Sequence, residues 1–286
     1  MWQRIEGVLT ERVHRPNGLL LFTYAVYTWM LLHALYMWPM LDVLWGSKSW
    51  MMPSVVTPGL IENLVFHLNY VPSHGVAVWW VYVLSIIASL VGIGGRWMRL
   101  IVFASGLMLM YGALYAFNSG FYLMQFFGLF LFLSAPRARN WFSVALTNVA
   151  FWMCRIQFVL VYAEAAFYKW MGTTWLEGSA MHYAAQLDHF IRPGVASVFL
   201  KYRWVSMFFS FAGLAYQTAF PLFIWLRKAR IPLLLAGVFF HGFIATAMKL
   251  PEFGTAMMVG YLLFIEEDSA RKVLVLLRLK PVQSEQ

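Results

Sequence analysis

The sequence predicts an all-α, polytopic transmembrane helical bundle of about eight spans, and three observations predict it. Of its 286 residues 62% are hydrophobic and only 12% are charged, and the mean hydropathy is +0.67. A soluble domain of this length does not have that composition. Several stretches reach the ~20 apolar residues that a helix needs to cross a bilayer. Lysines and arginines collect in alternate loops, the distribution expected when positive charge stays on the cytoplasmic side.

The elements follow in order. Residues 1–17 form a polar segment with Arg4, Arg12 and Arg15, and no cleavable signal peptide is expected there. The first span covers 18–40. A long loop, 41–74, contains Pro53, Pro58 and Pro72, and within it Gly59–Tyr70 reads as a short interfacial helix with Leu60, Leu64, Val65 and Leu68 on one face. Spans at 76–94, 100–117 and 121–134 follow, with the turn Asn118-Ser119-Gly120 between the last two. The fifth span, 141–171, is long for one crossing, so it is tilted or begins along the interface. The loop 172–203 leads to a sixth span at 204–226, interrupted by Pro221. A seventh at 232–248 and an eighth at 253–265 complete the domain, which runs from 18 to 266. Residues 267–286 form a basic, amphipathic tail.

Eight spans put both termini on one side. On that count fourteen lysines and arginines fall on the side of the termini and six on the other, with Arg155 inside a span, which accounts for all 21. Both termini are therefore expected in the cytoplasm, and the loops after the fifth and seventh spans on the periplasmic or lumenal side. The net charge of +9 is accounted for by these loops, so nucleic acid is not an expected partner, whereas membrane lipid is. The single cysteine, Cys154, excludes an internal disulfide and a cysteine-based metal cluster.

Ionisable groups at membrane depth are costly and usually functional. The stretch Arg155–His182 holds three near its start: Arg155, Glu164 and Lys169. At ~100° per residue Arg155, Tyr162, Ala166 and Lys169 share one helical face and Glu164 lies opposite. Lys169, at a span end, is either a snorkelling lysine or a base held neutral in an apolar pocket. His241 is a hydrogen-bonded bundle residue or a partner for a substrate oxygen. Glu164 needs a partner, for which Lys249, His33 and, with poor geometry, Arg155 are candidates. Arg155 is a structural clamp or an anchor for a substrate anion. His182, Gln186 and His189, with Asp188 adjacent, lie on one face of an outer helix if one forms, but they lack a firm third metal ligand, and no metal is expected. Lys249 marks the outer end of the seventh span, about 12 Å of helix beyond His241. A cavity bounded by the fifth and seventh spans is expected to bring Lys169 and His241 together.

Two motifs carry a family resemblance. Tyr162-x-x-Ala165-Ala166-x-x-Lys169, followed by Trp175-x-x-Gly178, resembles the signature of the HTTM superfamily, which includes the membrane domain of vitamin K-dependent gamma-carboxylase. Phe240-His241, Phe253, Met257 or Met258, Tyr261 and Phe264 resemble a second stretch of that signature. Together these stretches cover about a quarter of the chain, and Ala166 departs from the family's usual glycine. The resemblance implies a lysine base at Lys169 acting on a reduced, vitamin K-like quinone, in a carboxylase- or epoxidase-like lyase or an oxidoreductase. His241 and Tyr162 would orient the ring oxygens, and Glu164, Arg155, Trp175 and Lys249 would line the substrate site. The large lumenal domain of the carboxylase has no counterpart of sufficient length here, so a separate protein subunit would have to present any secreted peptide. Rival expectations are a non-catalytic accessory factor for peptide maturation, export or immunity, and a structural subunit of a larger membrane complex.

Overall fold

The computed structural model describes residues 10–46, 74–113 and 116–283. The expected interfacial helix at Gly59–Tyr70 lies outside them. Among the described residues the chain is entirely helical, with thirteen α-helices, two short 3-10 helices and no strand. They are α1 Pro16–Tyr36, α2 Leu41–Trp45, α3 His74–Val91, α4 Gly95–Gly112, α5 Ser119–Leu133, α6 Trp141–Met171, α7 Thr173–Leu176, α8 Ala180–Ala184, α9 Pro193–Lys201, α10 Arg203–Phe223, α11 Arg227–Thr246, α12 Pro251–Gly260 and α13 Glu267–Leu276.

Each of the eight apolar stretches is helical over most of its length. Four helices, α1, α3, α6 and α11, are long and apolar enough to cross a membrane. Two boundaries move. The seventh stretch begins at Arg227 rather than at Pro232: the basic residues form the first turn and Pro232 lies inside the helix. A proline is commonest at a helix start, which is why the sequence reads as starting there. The eighth stretch is α12 followed by a 3-10 turn, Tyr261–Phe264, rather than one continuous helix.

The chain divides into two compact units, 1–154 with 265–286, and 155–264, so the boundary falls within α6. In the first unit α1 is the central helix. Its sequence is apolar on every side, and a helix of that kind belongs in an interior. Leu19, Phe22, Val26, Tyr27 and Met30 have no exposed surface. α3, α5 and α13 pack against it, and α4 packs on α3 and α5. The start of α1 has no side-chain cap of its own. Glu267 supplies one from far along the chain: its carboxylate accepts from the backbone N–H of Asn17 at 2.9 Å and of Gly18 at 3.0 Å, and from Asn17 Nδ2 at 2.8 Å. Asn17 and the backbone of Val282 exchange two further hydrogen bonds. The basic, amphipathic tail therefore includes a helix, α13, docked on α1, with Ala270 and Leu274 fully buried.

In the second unit α10 packs against α7, α8, α9 and α11, and α11 packs on α12. The loop read at 172–203 holds three short helices over a small core of Met181, Ala185, Ile191, Ala196, Phe199 and Val205. α7 ends in a Schellman turn. Ser179 N–H donates to Thr174 C=O at 2.8 Å and Gly178 N–H to Trp175 C=O at 3.3 Å, with Gly178 at φ 73°. This turn is the Trp-x-x-Gly motif, so its glycine serves backbone geometry.

Candidate functional site: a buried histidine–tyrosine chain

The second unit gathers four polar side chains in an otherwise aromatic interior. Tyr162, on α6, shares a hydrogen bond with His241 Nε2 on α11 at 2.8 Å. The same hydroxyl meets that of Tyr261 at 2.7 Å, and Tyr261 meets that of Tyr216, on α10, at 2.8 Å. The result is a continuous chain, His241–Tyr162–Tyr261–Tyr216. His241 and Tyr162 are fully buried, Tyr261 is buried, and Tyr216 is partly exposed.

The helix faces explain the assembly. Phe158 and Tyr162 lie one turn apart on α6, Tyr216 and Phe220 one turn apart on α10, and Gly237 and His241 one turn apart on α11. Tyr162 stacks on Phe220, with centroids 4.0 Å apart, and Phe158 meets Tyr162 edge-on at 5.4 Å. Phe240 and Phe253 stand against the imidazole of His241. Gly237 is needed for close approach: a Cβ there would overlap the hydroxyls of both Tyr261 and Tyr216. That missing side chain lets two tyrosines reach the backbone of α11 beside His241.

Each hydroxyl has one proton to donate and two lone pairs, so the chain can be ordered in either direction. Its outer end is Tyr216. Its inner end is His241 Nδ1, a buried nitrogen with no hydrogen-bond partner among the described residues. A tyrosine hydroxyl relay can pass a proton by reversing its order, and an imidazole can take or release one at its inner end. The site can therefore offer a hydrogen bond to an oxygen at Nδ1 and return the matching proton change toward Tyr216.

The helical face read from the sequence is the one that is buried: Arg155 is 5% exposed, Tyr162 1% and Ala166 6%, while Glu164 on the opposite face is exposed. Two pairs of candidates are brought together, Tyr162 with His241 and Lys169 with Trp175. At the level of the first pair α6 and α11 meet through that hydrogen bond. Lys169 is not part of the chain. It lies seven residues beyond Tyr162, roughly 10 Å along the helix, and its Nζ sits 4.7 Å from the ring centroid of Trp175. Trp175 thus joins Lys169 rather than His241. The Arg155 guanidinium lies over Trp225 and Phe264, at 5.0 and 4.7 Å, as an aromatic clamp. Glu164 lies outside this interior, because a residue opposite Arg155 on α6 points away from it. Lys249 is exposed and donates to the carbonyl of Asp188 at 2.7 Å, which ties the preceding loop to the end of α11.

The possible outer helix that would present His182, Gln186 and His189 on one face does not form. α8 ends at Ala184, before Gln186 and His189. Among the described residues no group of three or more metal-ligating side chains is close enough to hold a metal ion. Tyr216, Phe220 and Gly237 are residues of this candidate site that no motif in the sequence marks. For Gly237 the available signal is its spacing of one turn from His241. Comparison with protein-family models, with curated proteins and with solved structures finds no match to this chain.

Proposed function

We propose that the chain is a multi-pass membrane protein of eight crossings, with both ends in the cytoplasm, that acts on a lipophilic, quinol-like molecule at the His241–Tyr162–Tyr261–Tyr216 chain. The observation that carries this reading is the chain itself: a continuous polar relay enclosed by phenylalanine rings in helices that read as membrane spans. A lipophilic ring bearing one or two oxygens matches such a site, because the rings accept its body and a few fixed polar groups orient its oxygens. The resemblance of the Tyr162–Lys169 and Trp175–Gly178 stretches to the HTTM superfamily adds the expectation that Lys169 is the base. Its ammonium over Trp175 is compatible with a lysine set against an aromatic wall at the mouth of the site.

Hydrogen bonds within the first unit support an even number of crossings. Asn17, at the start of α1, bonds Glu267 and Val282 after the last apolar helix. Arg96 bonds Ser143 at 3.2 Å, and Arg137 bonds the Lys280 carbonyl at 2.9 Å. Every loop assigned to the cytoplasmic side within that unit is thereby linked to another on the same side. Lipid-facing surface is abundant as well: Phe239 on α11 is 79% exposed and Trp204 on α10 is 70% exposed.

The test is mass spectrometry of lipophilic molecules that co-purify with the detergent-solubilised protein, compared with a His241→Ala variant of matched stability. A quinone or quinol retained by the parent and lost from the variant is the expected result. Retention by neither, together with a small soluble protein held in stoichiometric amount, would replace this reading with that of an accessory factor.

A further inference from the structure

A separate polar feature lies wholly within the first unit. A cavity of about 530 Å³ opens beside the turn between α3 and α4 and the loop between α5 and α6. Arg99, Arg137 and Arg139 line it, and none of its lining residues is acidic. Arg99 is fixed in place at the end of α5. Its Nη1 donates to the carbonyls of Leu131 and Ser134, at 3.1 and 2.9 Å, and to Ser134 Oγ at 2.9 Å. Two long helices begin at the rim, α4 at Gly95 and α6 just after Asn140, and both Gly95 and Asn140 are in the lining. A helix start carries partial positive charge and free N–H groups, so these two starts add to the field of the guanidinium groups.

The wall also holds hydroxyls in need of an acceptor or donor. Tyr27 is fully buried there and its hydroxyl has no hydrogen-bond partner among the described residues; the same holds for Ser89 Oγ. Such groups are costly unless something completes them. The rest of the wall includes Leu20 and Leu90, so the cavity has a cationic end and an apolar side.

We propose that this cavity binds a phosphoryl group, presented by an anionic phospholipid whose headgroup sits among Arg99, Arg137 and Arg139 and whose acyl chains lie along Leu20 and Leu90. Guanidinium groups match phosphate oxygens two at a time, and arginines on the cytoplasmic side of a membrane face its anionic leaflet. The proposal rests on the membrane reading of the chain and is independent of the quinol-like substrate.

The test uses the full chain in an uncharged detergent and follows thermal unfolding by tryptophan fluorescence. Short-chain phosphatidylglycerol, short-chain phosphatidylcholine and inorganic phosphate are titrated in separate arms. Phosphatidylglycerol is expected to raise the unfolding midpoint saturably, and phosphatidylcholine to leave it unchanged. The double variant Arg137→Gln/Arg139→Gln alters two exposed residues. It should stay folded, with a midpoint without lipid slightly below the parent's because the exposed Arg137–Lys280 contact is lost, and weaken the apparent affinity by on the order of tenfold. Tyr27→Phe, which removes one unpartnered hydroxyl, should raise the midpoint without lipid and bind phosphatidylglycerol more weakly. A saturable shift with inorganic phosphate, equal to that with phosphatidylglycerol and lost in the double variant, would support the phosphoryl site and assign it to a soluble phosphate ester. Equal responses to the two lipids, or an unchanged response in the double variant, would overturn the proposal.

Discussion

The hydroxyl of Tyr162 is shared by two partners, so its loss leaves both His241 Nε2 and the Tyr261 hydroxyl without it. Removing one member of a buried network costs about 1–3 kcal/mol in unsatisfied groups. Tyr162→Phe is therefore expected to lower the unfolding midpoint in detergent, although the ring still stacks on Phe220. Gly237→Ala should be at least as damaging, because the added methyl displaces the hydroxyls of Tyr261 and Tyr216; overpacking of this kind costs about 1–3 kcal/mol. An unchanged midpoint in both variants would mean that the chain does not hold α6, α10 and α11 together. Lys169 calls for a different pair. Lys169→Met keeps the stem and removes the amine, whereas Lys169→Arg keeps the charge and cannot release a proton at accessible pH. If Lys169 is the base, neither variant forms product and both keep the parent's stability. If it is a cation held over Trp175, the Lys169→Arg variant works as well as the parent, because a guanidinium stacks on indole at least as readily.

At the scale of elements, α13 is the piece whose role depends on one carboxylate. Glu267 accepts three hydrogen bonds at the start of α1, where a negative charge is favoured by the helix dipole. Glu267→Ala is expected to cost about 1–2 kcal/mol, the range of a lost N-terminal cap. It should also expose the 267–283 segment to limited proteolysis while α1 stays intact. Tail cleavage no faster than in the parent would place the hold on α13 in Ala270 and Leu274 instead. This element also marks the limit of what the sequence makes legible. Periodicity and apolar length locate eight apolar stretches that are helical over most of their length, and the face of α6 that carries Arg155, Tyr162 and Ala166 follows from its 100° step alone. Glu267 and Asn17 are 250 residues apart, and no local pattern couples them. Likewise, His241 and Tyr162 stand out as lone polar groups in apolar runs. Tyr261 is marked only by the family resemblance, and Tyr216 by nothing, since a tyrosine in such a sequence usually reads as part of the aromatic belt. Only packing, through the gap left by Gly237, turns them into parts of one chain. Lys169 and Lys249 illustrate the converse: their charge draws notice in the sequence, but their partners are an indole ring and a main-chain carbonyl.

For the whole molecule, the proposed arrangement across the membrane draws on charge and on the contacts of the first unit, and the two agree on parity. Fourteen basic residues on the side of the termini, against six on the other, predict that side to be cytoplasmic. The contacts of Asn17 with Glu267, and of Arg137 with the Lys280 carbonyl, hold the chain's beginning, its middle loop and its end together. An odd number of crossings between residues 17 and 267 would separate by the thickness of the bilayer groups that are in hydrogen-bond contact. Ser269 and Ser197 are both exposed and fall on opposite sides of the eight-crossing arrangement. The only native cysteine, Cys154, is buried, so single cysteines can be introduced without removing it. With a membrane-impermeant maleimide and intact cells, Ser197→Cys is expected to be labelled and Ser269→Cys to react only after the membrane is opened. Labelling of both from outside would reverse or break the arrangement. Protection of both until lysis would move the 193–201 helix to the cytoplasmic side and remove two crossings or shift their order, which would also put Lys169 and Trp175 on the side of the termini.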